Sequence, residues 1–398
     1  MWFERLSTPQ VTNAARFFPV LVVTGARQVG KTSLLRRAFP DHAYVSLEVP
    51  SVADLAEHDS AAFFARYPAP VLIDEVQYAP GILRALKTVV DADRHAMGRY
   101  ILTGSQKFEL MRGVSESLAG RCAVLELEGL SAAELAGGGV GTAAALDELM
   151  VRGGLPELWR QRELPSGLFY SSYLATYLER DVRQLVNVGS LRDFERFMRA
   201  CAARSGQLLN RSDLARDVGV SHTTAGEWLS VLVASNQLRL LEPWFDNLGK
   251  RLTKSPKLYL CDTGLLCFLL GIAPGELAQS PYRGAVFETW VFAELRKLLA
   301  RDDASRRVAF YRDQSQREVD FVVEGGGRFT LIEAKLTERP SRRDARHLDA
   351  VMRLLEARES YPPHSVQRVI VARPPVDHPL SPGGPAVVHA ARLDQLVF

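Results

Sequence analysis

Cysteine is scarce and scattered: Cys122, Cys201, Cys261 and Cys267 are the only four in 398 residues, and no two stand in C-x-x-C spacing. A disulfide framework and a zinc cage are thereby excluded, and a reducing, cytoplasmic setting is expected. No basic segment leading into an apolar core opens the chain, and no run reaches the roughly 18–20 apolar residues that span a bilayer. The nearest stretch, from Leu258 to Ala273, is interrupted by Asp262 and Gly264, so no membrane partner is expected. Internal repeats and low-complexity tracts are missing too. So is an excess of one charge: 49 basic against 46 acidic residues leave a formal net charge of +3. Any nucleic-acid surface must therefore come from local clustering.

What the chain does have is apolar material, 47% hydrophobic against 24% charged residues, enough for two or three separate cores at this length. From Pro19 to about Leu130, β-branched runs at 20–24, 43–48, 70–74, 99–103 and 122–127 alternate with helix-like stretches. That alternation predicts an α/β domain with a mainly parallel sheet over 1–135. The Gly- and Ala-rich stretch from Ala136 to Ala145 reads as a soft connection. A helical domain follows over 150–265, where Tyr170, Tyr173, Leu174 and Tyr177 at helical spacing read as core. A second α/β unit is predicted over 280–398, with a helix from about Arg283, strands near 307–312, 318–324, 328–335 and 366–372, and a helix near 341–357. The Pro- and Gly-rich segment 374–385 reads as a surface loop.

Directly after the first strand comes Gly25-Ala26-Arg27-Gln28-Val29-Gly30-Lys31-Thr32, which fits G-x-x-x-x-G-K-[ST] and leads into a helix through Ser33. Glycines there let backbone N–H groups converge on phosphate oxygens at a helix N-terminus that favours anions. The pattern predicts ATP as ligand, Lys31 on the β- and γ-phosphates and the Thr32 hydroxyl on Mg²⁺. The strand Val71-Leu72-Ile73 ends in Asp74-Glu75; Asp74 is expected at the metal, and Glu75 at the attacking water. The order apolar strand, Asp, Glu resembles the branch of P-loop ATPases with an extra strand beside the P-loop strand. The stretch ending Leu102-Thr103-Gly104-Ser105 resembles that insert. Thr103 or Ser105 then reads either as a polar sensor of the γ-phosphate or as an ordinary turn after a strand. Arg121, in Leu118-Ala119-Gly120-Arg121, reads either as a cation for the transferred phosphoryl group, supplied in trans by an oligomer, or as half of a structural ion pair.

These motifs make the chain resemble prokaryotic AAA-type ATPases with a C-terminal domain catalogued as DUF4143. Further matching stretches are Glu179-Arg180-Asp181, Leu258-Tyr259-Leu260-Cys261-Asp262-Thr263-Gly264-Leu265, Phe287-Glu288 and Arg317-Glu318-Val319-Asp320-Phe321. The resemblance implies an ATPase module of the AAA/ASCE type, a winged-helix module and a restriction-endonuclease-like module, in that order.

The residues of the later modules bear separate readings. Asp213 to Ser221, with its turn at Gly219, predicts a helix-turn-helix whose small core is Ala215, Val220, Ala225 and Leu229. One reading puts His222, Thr223, Thr224 and Glu227 in a nucleic-acid groove and Lys250, Arg251 and Lys254 on a basic wing. The other uses the same module for protein packing. In the C-terminal unit, Asp320 and Glu333-Ala334-Lys335 on neighbouring strands, with Glu288 on the helix before them, resemble a PD-(D/E)xK site. Two carboxylates would hold Mg²⁺ and Lys335 would position water, within a rim of Arg312, Arg317, Arg339, Arg342 and Arg343. The Gln-x-x-x-Tyr signature of some relatives has no counterpart in Arg346-His347-Leu348-Asp349. The expectation is an oligomeric Mg²⁺-dependent ATPase, a ring being one form of the oligomer, acting on nucleic acid, DNA favoured. The alternative is a nucleotide-gated scaffold whose later modules only bind partners.

Overall fold

Valine, leucine and isoleucine in unbroken runs can be buried on both sides only in the middle of a layered sheet, and the sequence supplies such runs at three places in its first third. In a computed structural model of the chain, residues 2–105, 114, 117–141, 146–177, 182, 191–244, 254–302, 306–357 and 365–396 are described. Strands β1 (Val20–Thr24), β2 (Ala43–Ser46), β3 (Val71–Asp74), β4 (Tyr100–Gly104) and β5 (Cys122–Glu126) form one parallel sheet in the order β2-β3-β4-β1-β5. β4 separates the P-loop strand β1 from the acidic strand β3, the topology of the P-loop NTPase branch expected from the sequence. Period-two geometry divides the strand residues between two cores. Val20, Val22, Val71, Ile73 and Leu102 face one cluster with Phe63 and Leu86. Leu21, Val23, Leu72 and Ile101 face another that continues through the middle and C-terminal helices as far as Leu393.

The middle of the chain forms a winged helix. Helices Leu191–Ala202, Arg211–Val218 and His222–Ala234 pack beside an antiparallel sheet β6-β8-β7, made of Gln207–Leu208 (β6), Leu238–Leu241 (β7) and Lys257–Leu260 (β8). Gly219, at φ 81°, caps the second helix in the left-handed region that a Cβ disfavours, and so makes the tight turn possible. Trp228 is buried edge-on against Phe194 and Phe197, so its bulk serves the internal core and takes no part in a protein-packing face.

The last unit is a mixed sheet whose six strands run in the order β13-β14-β12-β11-β10-β9: Arg307–Arg312 (β9), Glu318–Gly325 (β10), Arg328–Ala334 (β11), Val366–Ala372 (β12), His378–Pro379 (β13) and Ala386–His389 (β14). The helix Arg283–Asp302 covers one face and the helix Arg342–Glu356 the other, the restriction-endonuclease-like arrangement. A register shift between Val319 and Val322 interrupts the alternation; both valines face the 342–356 helix, while Phe321 joins the core of the 283–302 helix. Such a bulge re-aims side chains, here Asp320.

Two local expectations need correction. The segment 374–385 is not wholly loop: His378–Pro379 pairs with β14, a strand the sequence reading missed. Ala136 and Gly137 of the supposed soft connection close a short helix, Ala132–Gly137, held by a capping box between Ser131 and Glu134. Among the described residues no helix is long and apolar enough to cross a membrane.

The stretch around Asp262 is architectural. The Asp262 carboxylate accepts from Leu265 N (2.9 Å), capping the 263–269 helix, from Gly154 N (2.7 Å) and from the Tyr170 hydroxyl (2.7 Å). A Cβ on Gly264 would stand 2.2 Å from that hydroxyl. Asp262→Ala, which orphans the Leu265 and Gly154 N–H groups while the Tyr170 hydroxyl keeps Arg152 O at 2.9 Å, is expected to cost about 2–4 kcal/mol by urea denaturation; a loss under about 0.5 kcal/mol would show that water replaces Asp262.

Candidate functional site

The phosphate-binding turn follows from where glycine is obligatory. Gly25 sits at φ 146° with Leu127 O only 2.2 Å from where a Cβ would be, and Gly30 at φ 93° caps the helix Lys31–Ala38. Between them Gln28 is also left-handed, at φ 62°. The turn is pinned from behind by Arg5, a residue the sequence reading did not single out. Arg5 is 7% exposed; it donates to Val29 O (2.8 Å), Glu128 O (2.6 Å) and the Glu134 carboxylate (3.1 Å). Lys31 folds over the turn, its ammonium 3.0 Å from both Gly25 O and Ala26 O.

Across from the turn, at the end of β3, the Asp74 carboxylate is buried and so must be satisfied by hydrogen bonds. Thr32 Oγ1 lies 3.0 Å from each of its oxygens, Tyr44 donates to Oδ2 at 2.9 Å, and Thr103 donates to Oδ1. Burial, and then the facing Asp74 charge, push the Tyr44 phenol up to about 12. Glu75 is held at φ 56°, a left-handed conformation that costs a non-glycine residue roughly 1–2 kcal/mol and clusters at functional sites. Its N–H donates to Thr103 Oγ1 (3.1 Å), and its carboxylate takes Gln77 Nε2, with Ser105 Oγ at 3.4 Å. Thr103 and Ser105 therefore both touch the acidic pair, which a simple turn does not require. A cleft of about 300 Å³ opens between Lys31, Thr32, Ser33 and Glu75, with Arg27, Gln28 and Thr176 at its rim. A second cavity of about 560 Å³ adjoins it at Gln28, Gly30 and Ser33, and reaches Trp2, Phe169 and Arg160. The glycine turn, the lysine, the hydroxyl and the buried aspartate fit a nucleoside triphosphate with a hard divalent cation.

Arg121 is elsewhere. It precedes Cys122, which pairs with Val20 at the start of β1, roughly 13 Å of strand away from the turn after Thr24. There it makes a bidentate pair with Asp91 (2.6 and 2.9 Å). Its own chain's phosphates are out of reach, and the structural ion pair is what the fold displays.

On the winged helix, His222, Thr223 and Glu227 are exposed at the start of the third helix and Lys254 is exposed before β8. Thr224 is half-buried and engaged in the helix cap: its hydroxyl is 2.8 Å from Ser221 Oγ, and its N–H donates to the same oxygen. Lys250, Arg251 and the Glu179-Arg180-Asp181 stretch lie outside the described residues.

The C-terminal carboxylates converge as the strand geometry predicts, with an unforeseen companion. Phe321 pairs with Ile332, which sets Asp320 beside Glu333, and Asp320 Oδ2 accepts from Ala334 N (2.9 Å). Lys335 Nζ is 2.7 Å from Glu333 Oε1. Into the middle of the group comes Lys257 from β8 of the winged helix, its side chain 3% exposed, with Nζ 2.6 Å from Glu318, 3.1 Å from Glu288 and 3.8 Å from Asp320. Two residues on, the Tyr259 hydroxyl donates to Glu288 at 2.6 Å. Burial opposes the charge on Lys257, but Glu288, Asp320 and Glu318 overcome it and hold its ammonium above the ordinary lysine range. Burial, then Asp320, raise Glu288 to about 7 and Glu333 to about 8. A divalent metal does not fit here as the chain is packed, because an ammonium occupies the point where the oxygens meet. The expected metal role of Glu288, Asp320 and Glu333 is corrected accordingly. Lys257 and Glu318 were missed because nothing local in the sequence links a winged-helix strand to the final sheet.

Residues 18–136 match the model of an AAA domain, residues 143–276 a domain of unknown function (DUF8612) and residues 283–371 a domain of unknown function (DUF4143). Uncharacterized proteins of Mycobacterium tuberculosis and Mycobacterium bovis are each 36% identical over 344 residues, covering 85% of this chain and 75% of theirs. A Walker-type ATPase of Pyrococcus abyssi is 17% identical, with a TM-score of 0.47 over 67% of this chain and 96% of that one.

The Arg5 clamp is separable from general packing. Arg5→Met leaves Glu134 buried without its cation and is expected to cost about 3–5 kcal/mol in denaturant unfolding. At a temperature where the variant stays folded, loosening of Val29 should weaken ATP binding at least about tenfold, since turn geometry sets phosphate contacts. Unchanged affinity would mean that Arg5 supports the fold alone.

Proposed function

Because the chain belongs to the family of AAA-type P-loop ATPases with a C-terminal DUF4143 domain, we propose that it is a Mg²⁺-dependent ATP hydrolase. Its nucleotide state would set the position of a winged-helix module on nucleic acid, DNA in preference. The observation that carries the hydrolytic part is the junction at Asp74, where the Thr32 hydroxyl from the P-loop helix and the Thr103 hydroxyl from β4 meet one buried carboxylate. Backbone N–H groups from Gly25 to Thr32 cradle the phosphates, and Lys31 leaves the carbonyls of Gly25 and Ala26 to neutralise them. Thr32 and Asp74 hold the cation. Magnesium bound there supplies charge withdrawal across the phosphate oxygens. Glu75, fixed by Gln77 and Ser105, orients the attacking water and takes its proton.

The exposed His222 and Thr223, and the exposed Lys254 that precedes β8, support the nucleic-acid reading, since a winged helix presents the start of its third helix to a groove. The assembly is an oligomer in this reading, with a cation offered between subunits. Arg121 can serve only in trans, after giving up Asp91. For the C-terminal module, the lysine among its carboxylates favours binding over cleavage.

Glu75→Gln is expected to keep ATP affinity and lose about 10²–10⁴ in turnover, whereas Lys31→Ala should abolish binding; normal turnover in the Glu75 variant would remove Glu75 from the role. ATPase rates measured with single-stranded, duplex and branched DNA test the partner. Stimulation that disappears in a His222→Ala, Thr223→Ala double variant is the expected result. Equal rates with every nucleic acid would leave a nucleotide-gated scaffold.

A further inference from the structure

The C-terminal centre has the donors of a cation site, and a cation is already covalently present. Glu288, Glu318 and Asp320 come from a helix and a strand, yet all three lie within 4 Å of the Lys257 ammonium. A fourth carboxylate adjoins them: Glu333, 7% exposed, stands opposite Asp320 on the paired strand, its Oε1 2.7 Å from Lys335 Nζ and its Oε2 without a hydrogen-bond partner among the described residues. A buried carboxylate oxygen left without a donor costs free energy unless a positive charge compensates it. Lys257 itself is locked from behind, because Tyr259 on the same face of β8 is fully buried, packs tilted against Phe292 with ring centroids 4.5 Å apart and donates to Glu288. An ammonium on a four-carbon stem, anchored in another module's strand, thus does what a mobile metal ion does elsewhere: it lets several carboxylates share one small volume.

We propose that Lys257 is the resident cation of the C-terminal centre, and that Glu288, Glu318, Asp320 and Glu333 form a latent divalent-metal site exposed only when the charge of this lysine is removed. With Lys257 in place, the pairing fastens β8, and with it the strand following the wing, to the final sheet, so winged helix and C-terminal module move as one body. Without it Glu288 and Asp320 lose their ion-pair partner, Glu318 keeps only Arg312 at 3.4 Å and Glu333 only Lys335, and a hard divalent ion is the ligand that the freed oxygens prefer. The inference reaches beyond the hydrolytic reading and needs no nucleotide for its test.

The test titrates Mn²⁺ into the nucleotide-free full chain and follows free Mn²⁺ by electron paramagnetic resonance. In the unmodified protein no Mn²⁺ site should depend on Asp320, so Asp320→Asn should leave the isotherm unchanged. Lys257→Met, similar in volume and uncharged, should create a site that binds at least about tenfold more tightly than any in the parent, toward the affinity of sparsely charged oxygen sites. Its melting temperature should rise with Mn²⁺, and adding Asp320→Asn should abolish both effects. If Lys257→Met alone does not fold, Lys257→Met with Glu288→Gln removes one of the uncompensated charges and keeps three carboxylates to bind. An Asp320-dependent Mn²⁺ site in the unmodified protein overturns the proposal, as does a folded Lys257 variant that gains none. Failure of Glu75→Gln to lose turnover, by contrast, would touch only the nucleotide site.

Discussion

A buried carboxylate must find donors inside the protein, and at Asp74 that requirement organises the first domain. Its two oxygens draw hydroxyls from three different elements: Thr32 from the P-loop helix, Tyr44 from β2 and Thr103 from β4. The second strand, the inserted strand and the phosphate turn are thereby tied to one point at the edge of the sheet. Thr103 passes the connection on to the Glu75 backbone, and Ser105 to its side chain. A ligand that reorders the hydroxyls around Asp74 is felt along three strands at once, because the hydrogen bonds share one acceptor group.

The other side of the phosphate turn rests on the loop that follows β5, and this loop belongs as much to the later modules as to the first. Glu126 and Glu128 pair with Arg239 of β7 and Arg296 of the 283–302 helix. Glu294 of that helix accepts from Ala132 N at 2.9 Å, and Lys297 donates to Leu130 O at 2.8 Å. Arg5 bridges the same loop to Val29. Burial lowers Arg239 to about 10, and the neighbouring Arg296 adds to the shift. Buried ion pairs contribute little net stability against apolar packing, but they are sensitive to geometry. A displacement of the turn is therefore costly to absorb at Arg239 and Arg296, the two cations that join this loop to the winged helix and the C-terminal unit.

The phosphate turn, the acidic strand end and the parallel sheet were legible because each is a local pattern: glycines at fixed spacing before a helix, and a β-branched run ending in Asp-Glu. The pairing of Asp320 with Glu333 was legible for the same reason, since period two and a short connection fix it. What escaped were long-range satisfactions of buried polar groups. Arg5 meets Val29 and Glu134 across 24 and 129 residues, Tyr44 meets Asp74 across 30, and Lys257 meets Glu318 across the whole 283–302 helix. No periodicity marks such partners. Arg121 carried two readings, and the fold displays the ion pair with Asp91, because proximity in sequence to the inserted strand says nothing about which end of the sheet it occupies. The Asp262 stretch was read only as a family likeness, and its role is capping.

The two carboxylate groups of this chain answer the same desolvation cost with different donors, and the difference decides what each can do. At Asp74 the compensation comes from neutral hydroxyls, each worth about 1.5–3 kcal/mol on a charged acceptor and each free to rotate to another acceptor. A divalent ion entering there meets an uncompensated negative charge and displaces only weak partners. At Asp320 the compensation is a whole positive charge on a stem that cannot leave without unpacking Tyr259 from Phe292. An incoming ion there would have to bring an ammonium and a second cation together in a medium of low dielectric, where like charges a few ångströms apart repel by several kilocalories per mole. As proposed, one centre responds to a nucleotide and its metal, and the other holds the winged helix to the final sheet.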